Sequence, residues 1–216
     1  MEERVVLLFT GGEPVDPGIE RLLPAAGIVI AADSGLAAAV ALGRRVDLVI
    51  GDLDSADPAM VQAAESAGAG VERHPTAKAE TDLELGLVAA LQRGATHVVV
   101  VGGYGGRLDH FLANALLLAS PRFASTRIEA YVGAARITVV RDRAVLRGEV
   151  DDLVSLLAVG GPATGVRTDG LVYALHGEQL DAGSTRGVSN VFAATSAAVS
   201  LESGVLLAVQ PRRGGS

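Results

Sequence analysis

The sequence predicts a two-part α/β protein, with an open, mostly parallel sheet and crossover helices over residues 1–134 and an antiparallel β-sandwich over residues 135–216. Up to about Gly133, short and nearly continuous Val/Ile/Leu runs alternate with longer Ala/Leu-rich amphipathic stretches, the pattern of strands covered by helices on both faces. Beyond Ala134 the helical periodicity fades into short strand-like pieces broken by Gly, Asp and Pro, as in a sandwich or small barrel. Hydrophobic residues make up 49% of the chain and aromatics 3%, so the core must be built from aliphatic packing.

The apolar runs of the first part are RVVLLFT from Arg4, GIVIAAD from Gly27, VDLVIGD from Val46, HVVVVGG from His97 and RIEAYVG from Arg127. Between them the spacing predicts helices from Leu36 to Leu42, Ala59 to Ala67, Asp82 to Arg93 and Leu108 to Ala119. Asp57 before Pro58 reads as an N-cap followed by proline at the first helical position, a structural role. Thr81 and Glu84 have the spacing of a capping box ahead of LELGLVAAL. In the second part the strand-like pieces are ARITVV, AVLRGE, LVSLLAV, GVRTDG, LVYAL and AAVSLESGVLLAV, the first starting at Ala135.

A net charge of -7 without a basic stripe argues against nucleic acid or an anionic membrane as partner, because both are bound through clustered Lys and Arg. The one basic cluster, the tail PRRGGS, reads as a solvated end. With no cysteine, disulfides, thiolate metal sites and cysteine nucleophiles are excluded. The apolar run near the start is too short for a signal peptide and no stretch is long enough to span a bilayer, so a cytoplasmic location is expected.

In an open parallel sheet, ligands bind beyond the carboxyl ends of the strands. Polar residues gather there: Asp33 after VIAA, Asp52 and Asp54 after LVI, Arg107 and Asp109 in GGYGGRLDH. In extended backbone, residues two apart point the same way, so Asp52 and Asp54 are expected to converge with Leu53 turned to the core. Gly51 lets the backbone approach a ligand. Two convergent carboxylates beside a glycine-rich loop suit Mg²⁺, which takes one or two protein carboxylates and completes its shell with water and phosphate. Asp-rich strand ends also serve as turns and caps, so the pair alone leaves both readings open.

Glycines 102, 103, 105 and 106 permit positive φ and expose amides able to cradle phosphate. Leu108 breaks the dinucleotide fingerprint, and no P-loop lysine follows. A plain strand-to-helix turn has no need of Arg107 or Asp109. Lys78, ahead of the Thr81 cap, reads either as a phosphate ligand or as a solvated loop lysine. His74, His97 and His176 lack metal-ligand spacing; His110 is nearer the proposed site without a readable role.

Taken in order, AADSG, GDLDS, KAETDLELGL and GGRLDHFLAN, then TDGLVYAL and STRGVSNVF, resemble the thiamine pyrophosphokinase family over nearly the whole chain. The resemblance implies transfer of a pyrophosphoryl group from ATP to thiamine, giving thiamine diphosphate and AMP, with Mg²⁺ as cofactor. It further implies a homodimer whose active site lies at the subunit interface. By residue, it implies Asp52, Asp54 and Asp82 as Mg²⁺ ligands, and Asp33, Lys78 and Arg107 at the nucleotide. It places Asp82, Arg107 and Asp109 at the catalytic centre, and Tyr173, Ser189 and Asn190 on the thiamine side. A carboxylate near the attacking hydroxyl, Asp109 or Asp82, accepts or orients its proton.

This chain departs from the family pattern where KAETD carries Ala79 in place of an acid, with Glu80 adjacent but projecting in a different direction, and, more tolerably, at Ser34 and Leu53. Two other functions stay open on the sequence: pyrophosphoryl transfer to another alcohol such as a pterin, and a thiamine- or nucleotide-binding protein without catalysis.

Overall fold

The computed structural model describes residues 3–211 of the chain. Apart from Pro211, the basic tail lies outside the described residues. The chain divides into two compact units, the first made of residues up to Leu117 with Ser125–Gly133, the second of Leu118–Ala124 with the residues from Ala134 onward.

In the first unit the elements run β1 (Val5–Thr10), β2 (Ile28–Ala32), α1 (Gly35–Ala41), β3 (Leu48–Gly51), α2 (Pro58–Ser66), β4 (Gly70–Arg73), α3 (Asp82–Gln92), β5 (His97–Gly102), α4 (Leu108–Leu118) and β6 (Arg127–Val132). Their sheet has the order β6-β5-β1-β2-β3-β4, and every pairing is parallel. Residues 6–10 of β1 and all of β5 are buried, as continuous apolar strands covered on both faces must be. Leu7, Phe9, Val29, Ala31, Leu36, Val49 and Val99 belong to one core cluster. The helix starts follow the predicted caps: the Asp57 carboxylate accepts from Ala59 N at 2.9 Å, and the Thr81 hydroxyl accepts from Glu84 N at 3.2 Å.

Strand β4 has no counterpart among the expected runs. Its sequence, GVER, holds one apolar side chain, yet it pairs in register with β3, Val49 opposite Val71. It closes the edge of the sheet and leaves most of its surface to solvent, so no apolar run is required of it.

The second unit is all β: β7 (Ala135–Val140), β8 (Arg143–Arg147), β9 (Leu153–Ala158), β10 (Ala163–Asp169), β11 (His176–Leu180), β12 (Asn190–Val191), β13 (Ser196–Ser200) and β14 (Leu206–Pro211). They form two antiparallel rows, β12-β9-β14-β7 and β11-β10-β13-β8. Leu146, Val154, Leu156, Val166, Phe192, Val199 and Leu206, drawn from both rows, make one core, as in a sandwich. The expected strand LVYAL is a correction. Leu171 makes a single bridge to Phe192, and the chain then loops outward before β11 starts at His176. Leu171 and Leu175 are buried while Val172 and Tyr173 between them are exposed, so the apolar run is two anchors around a projecting tip. Among the described residues no helix is long and apolar enough to cross a membrane.

Candidate active site

Strand β1 lies between β2 on one side and β5 on the other, so the chain order reverses there and a crevice opens beyond the carboxyl ends of β1 and β5. A cavity of about 710 Å³ occupies that place. Pockets for small organic ligands run to roughly 300–1,000 Å³. Asp33, Asp52, Asp54, Lys78, Asp82 and Arg107 all line it. These six are spread over 75 positions of the chain, and the fold collects them.

Three carboxylates stand closest. Asp33, Asp52 and Asp82 each offer an oxygen, and these oxygens lie within 4.8 Å of one another. Asp33 follows β2 in the left-handed region (φ 48°), its amide donating to Ile50 O at 2.9 Å, which fixes it beside the end of β3. Asp82 is the first residue of α3 and is delivered by the Thr81 cap. Gly51 makes room: a Cβ there would sit 2.8 Å from Asp82 Oδ1 and 3.4 Å from Asp33 Cβ, and its φ of 139° disfavours any side chain. The glycine admits the neighbouring aspartates rather than clearing space for a ligand.

Asp52 and Asp54 do not converge in the expected way. β3 ends at Gly51, and Leu53 turns left-handed (φ 60°), which keeps its side chain against the core but takes the backbone out of the extended form. Asp54 is exposed at the rim of the same cavity, accepting from Ser55 Oγ at 2.9 Å. Asp33, read from the sequence as a nucleotide neighbour, is the third member of the close group.

Lys78 is paired rather than solvated. Its ammonium lies 2.9 Å from Asp52 Oδ2 and 3.1 Å from Asp82 Oδ1, with a side chain 10% exposed. The hydrogen bond from Lys78 holds the Asp52 carboxyl below its ordinary value. Burial alone would depress Lys78, but the bonds to Asp52 and Asp82 outweigh it and raise the ammonium above its ordinary value. Asp33 moves the opposite way. Burial raises its carboxyl, the charges of Asp82, Asp54 and Asp52 add to that, and Oδ1 is buried without a hydrogen-bond partner.

Across the cavity, all four glycines of the GGYGG turn take positive φ, as expected. The Arg107 guanidinium grips Asp109 with two bonds, Nη2 to Oδ2 at 2.5 Å and Nε to Oδ1 at 3.2 Å. That grip pulls the Asp109 carboxyl down to about 2. Both side chains are well exposed. Thr81 Oγ1, which caps α3, also donates to Asn114 Oδ1 of α4 at 3.2 Å, tying the acid side of the cavity to the arginine side. Ala79 and Glu80 line the cavity with exposed residues.

In the second unit Tyr173 is 65% exposed at the tip of the loop before β11. Asn190 is 5% exposed, and its amide bonds the backbone of Tyr173 on both sides: Oδ1 accepts from Tyr173 N at 3.0 Å and Nδ2 donates to Tyr173 O at 2.8 Å. Ser189 precedes it in the left-handed region (φ 58°), its amide donating to Ser155 Oγ at 3.1 Å.

Sequence reasoning missed the loop after β1. Thr10, Gly11 and Gly12 line the cavity, and the signal was present in FTGGEP, a glycine pair at the carboxyl end of a buried strand. It also gave no role to Asn114, whose position one helical turn beyond His110 was readable.

An all-oxygen donor set containing a buried, unpartnered carboxylate oxygen fits a hard divalent cation such as Mg²⁺. Two family models match the chain: "Thiamin pyrophosphokinase, catalytic domain" over residues 19–132, more than half its length, and "Thiamin pyrophosphokinase, vitamin B1 binding domain" over residues 141–206. Among solved structures, the chain is similar to the thiamine pyrophosphokinase of Bacillus subtilis, at 22% identity over 97% of this chain and 100% of that one, with a TM-score of 0.84. The thiamin pyrophosphokinase of Geobacillus thermodenitrificans gives 24% identity over 98% and 99%, with a TM-score of 0.80. That of yeast gives 14% over 98% and 87%, with a TM-score of 0.75. At these identities the likeness to solved structures is one of fold. No curated protein sequence matches the chain.

Proposed function

We propose, from the premise that this chain belongs to the thiamine pyrophosphokinase family, that the cavity beyond β1 and β5 is where a pyrophosphoryl group passes from ATP to thiamine. The chain is an ATP-dependent diphosphotransferase that makes thiamine diphosphate and AMP. The observation that carries the assignment to this cavity is the group of Asp33, Asp52 and Asp82, with its unpartnered buried oxygen, lining the same space as Lys78 and Arg107.

Transfer of this kind is catalysed by positioning and by stabilising charge, with little covalent work for the protein. Asp52, Asp54 and Asp82, joined by Asp33, are the residues that would hold Mg²⁺. When bound, the ion supplies charge neutralisation at the phosphate oxygens. Lys78 and Arg107 are the cations within the cavity, each paired with carboxylates that it can exchange for phosphate oxygens. Asp109 aims Arg107 through its two bonds, and a carboxylate near the acceptor hydroxyl, Asp109 or Asp82, accepts or orients its proton. On the acceptor side, the exposed ring of Tyr173 offers a flat face to thiamine, with Ser189 and Asn190 beside its loop.

The working form is a homodimer with the site at the subunit interface. On α4, Leu108, Leu112 and Leu116 recur at four-residue spacing and are 69%, 52% and 57% exposed, an apolar stripe of the sort that partners cover. His110, Phe111 and Asn114 of the same helix line the cavity, so a partner over the stripe would stand at its edge. Leu112→Asp should turn dimers into monomers in sedimentation and lower turnover at least about tenfold; a wild-type chain that sediments as a monomer refutes the dimer. ATP as substrate accords with a cytoplasmic location.

The decisive assay supplies ATP, Mg²⁺ and thiamine, omits each in turn, and identifies products by mass spectrometry. Thiamine diphosphate with AMP is expected. ADP with thiamine monophosphate, or no thiamine product from folded protein, overturns the reading.

A further inference from the structure

The loop from Leu171 to Leu175 leaves the sandwich after a single bridge, yet its backbone is held at Val172, Tyr173 and Leu175. Val172 N donates to Val191 O at 2.8 Å, and Leu175 N donates to Thr168 Oγ1 at 2.8 Å. Between these points the backbone of Tyr173 has no strand opposite it. Both of its polar groups are met instead by one side chain, the Asn190 amide, whose Oδ1 also accepts from Val191 N at 2.9 Å. An amide offers two lone pairs and two N–H groups, and three of these four are engaged inside the protein. The side chain is also 95% covered, so it is spent on the loop and has little to offer a ligand.

Resting on the reading of Tyr173 as an acceptor contact, we propose that Asn190 is a positioning residue: it latches the Tyr173 loop in place of a backbone strand, and so sets thiamine affinity without touching thiamine. Asparagine suits the task because donor and acceptor sit on one planar group at the spacing of a peptide bond. Aspartate keeps the acceptor and loses the donor, alanine loses both, and glutamine displaces the amide by a methylene. The left-handed Ser189, tied to Ser155, fixes the direction from which the amide reaches across.

The test uses the full chain labelled with 3-fluorotyrosine, since the sequence has three tyrosines and each gives one fluorine resonance assignable by Tyr→Phe substitution. Without ligand, Asn190→Ala should shift and broaden the Tyr173 resonance and leave those of Tyr104 and Tyr131 in place. Asn190→Asp, of equal size, should do the same to a smaller degree and guards against a folding defect in the alanine variant. In steady state, Asn190→Ala should raise the thiamine KM about tenfold with the ATP KM and kcat within about twofold. In a Tyr173→Ala background the same change should add less than about twofold. An unmoved Tyr173 resonance in both Asn190 variants, or KM effects that multiply across the double variant, overturns the latch. The acceptor reading fails separately, if thiamine leaves the wild-type Tyr173 resonance unmoved and Tyr173→Ala leaves the thiamine KM unchanged.

Discussion

In the cavity of the first unit, charged side chains hold one another, Lys78 between Asp52 and Asp82 and Arg107 against Asp109. On the loop of the second unit, a neutral amide holds the backbone of Tyr173. The difference separates two kinds of preparation for a ligand. Ion pairs are exchangeable where both released charges find new partners, the cations on phosphate and the carboxylates on a metal ion. An amide clamped on a peptide has no equivalent partner to gain, so that loop is set at folding and stays set. The first unit is arranged to trade contacts and the second to keep them.

The largest effect that bears on this contrast is expected at Asp52. Asp52→Asn removes charge from the close carboxylate group and should cut turnover about a thousandfold or more, measured as thiamine diphosphate formed per enzyme. Activity within tenfold of wild type would break the assignment of the cavity.

Next in size is the loss of the Lys78 pair. Lys78→Met leaves two mostly buried carboxylates without their cation and should cost about 2 kcal/mol in urea unfolding near neutral pH. Its pH dependence has a definite sign. Asp52 is depressed in the folded state, so the pair's contribution is present above the ordinary carboxylate value of 3.8 and fades as pH falls through the lower folded value. Lys78 is raised, so its contribution holds below the ordinary 10.5 and fades as pH climbs through the higher folded value. Wild type and variant should therefore differ across the middle range and converge in acid; a constant difference at every pH would show that lost packing, and not the ion pair, is responsible.

The smallest and most diagnostic change is Asp33→Asn. With its carboxyl raised by burial, Asp33 favours the folded state only when protonated, and its contribution turns unfavourable as pH rises from 3.8 through the folded value. Asparagine tolerates the left-handed φ and removes the charge. Thermal unfolding at pH 7 should rise by about 2 to 4 °C, the equivalent of about 1 kcal/mol at this size, while turnover drops. A lower melting temperature would mean that the carboxylate is satisfied in solution and would weaken the case for a cation.

The architecture was largely legible because the buried strands of a parallel sheet advertise themselves: Val6–Phe9 and Val98–Val101 are apolar on both faces because both faces are covered. The elements that escaped are those with less need of apolar surface, β4 at an edge, and β11 and β12, which are short and rich in polar residues. The cavity was legible as a set of strand ends, though its inner geometry was not. One left-handed residue, Leu53, redirects Asp54, and the parallel pairing of β2 with β3 brings in Asp33 from 19 positions away, as the Asp33 bond to Ile50 records. Asn190 was visible as a motif residue; its engagement with Tyr173 depends on a loop that the sequence presents as a strand.

Position 51 is one of several glycines at which any side chain is strained, and the one packed against the close carboxylate group. Alanine there meets Asp82 at 2.8 Å and a backbone angle of 139° that L-residues avoid, so the smallest substitution already fails on two independent counts. In a saturation library selected for growth on the protein's activity, codon 51 should survive as glycine alone. A single hydrogen atom in place of a methyl group is thus a heritable requirement of the site, as binding as any of its charged residues.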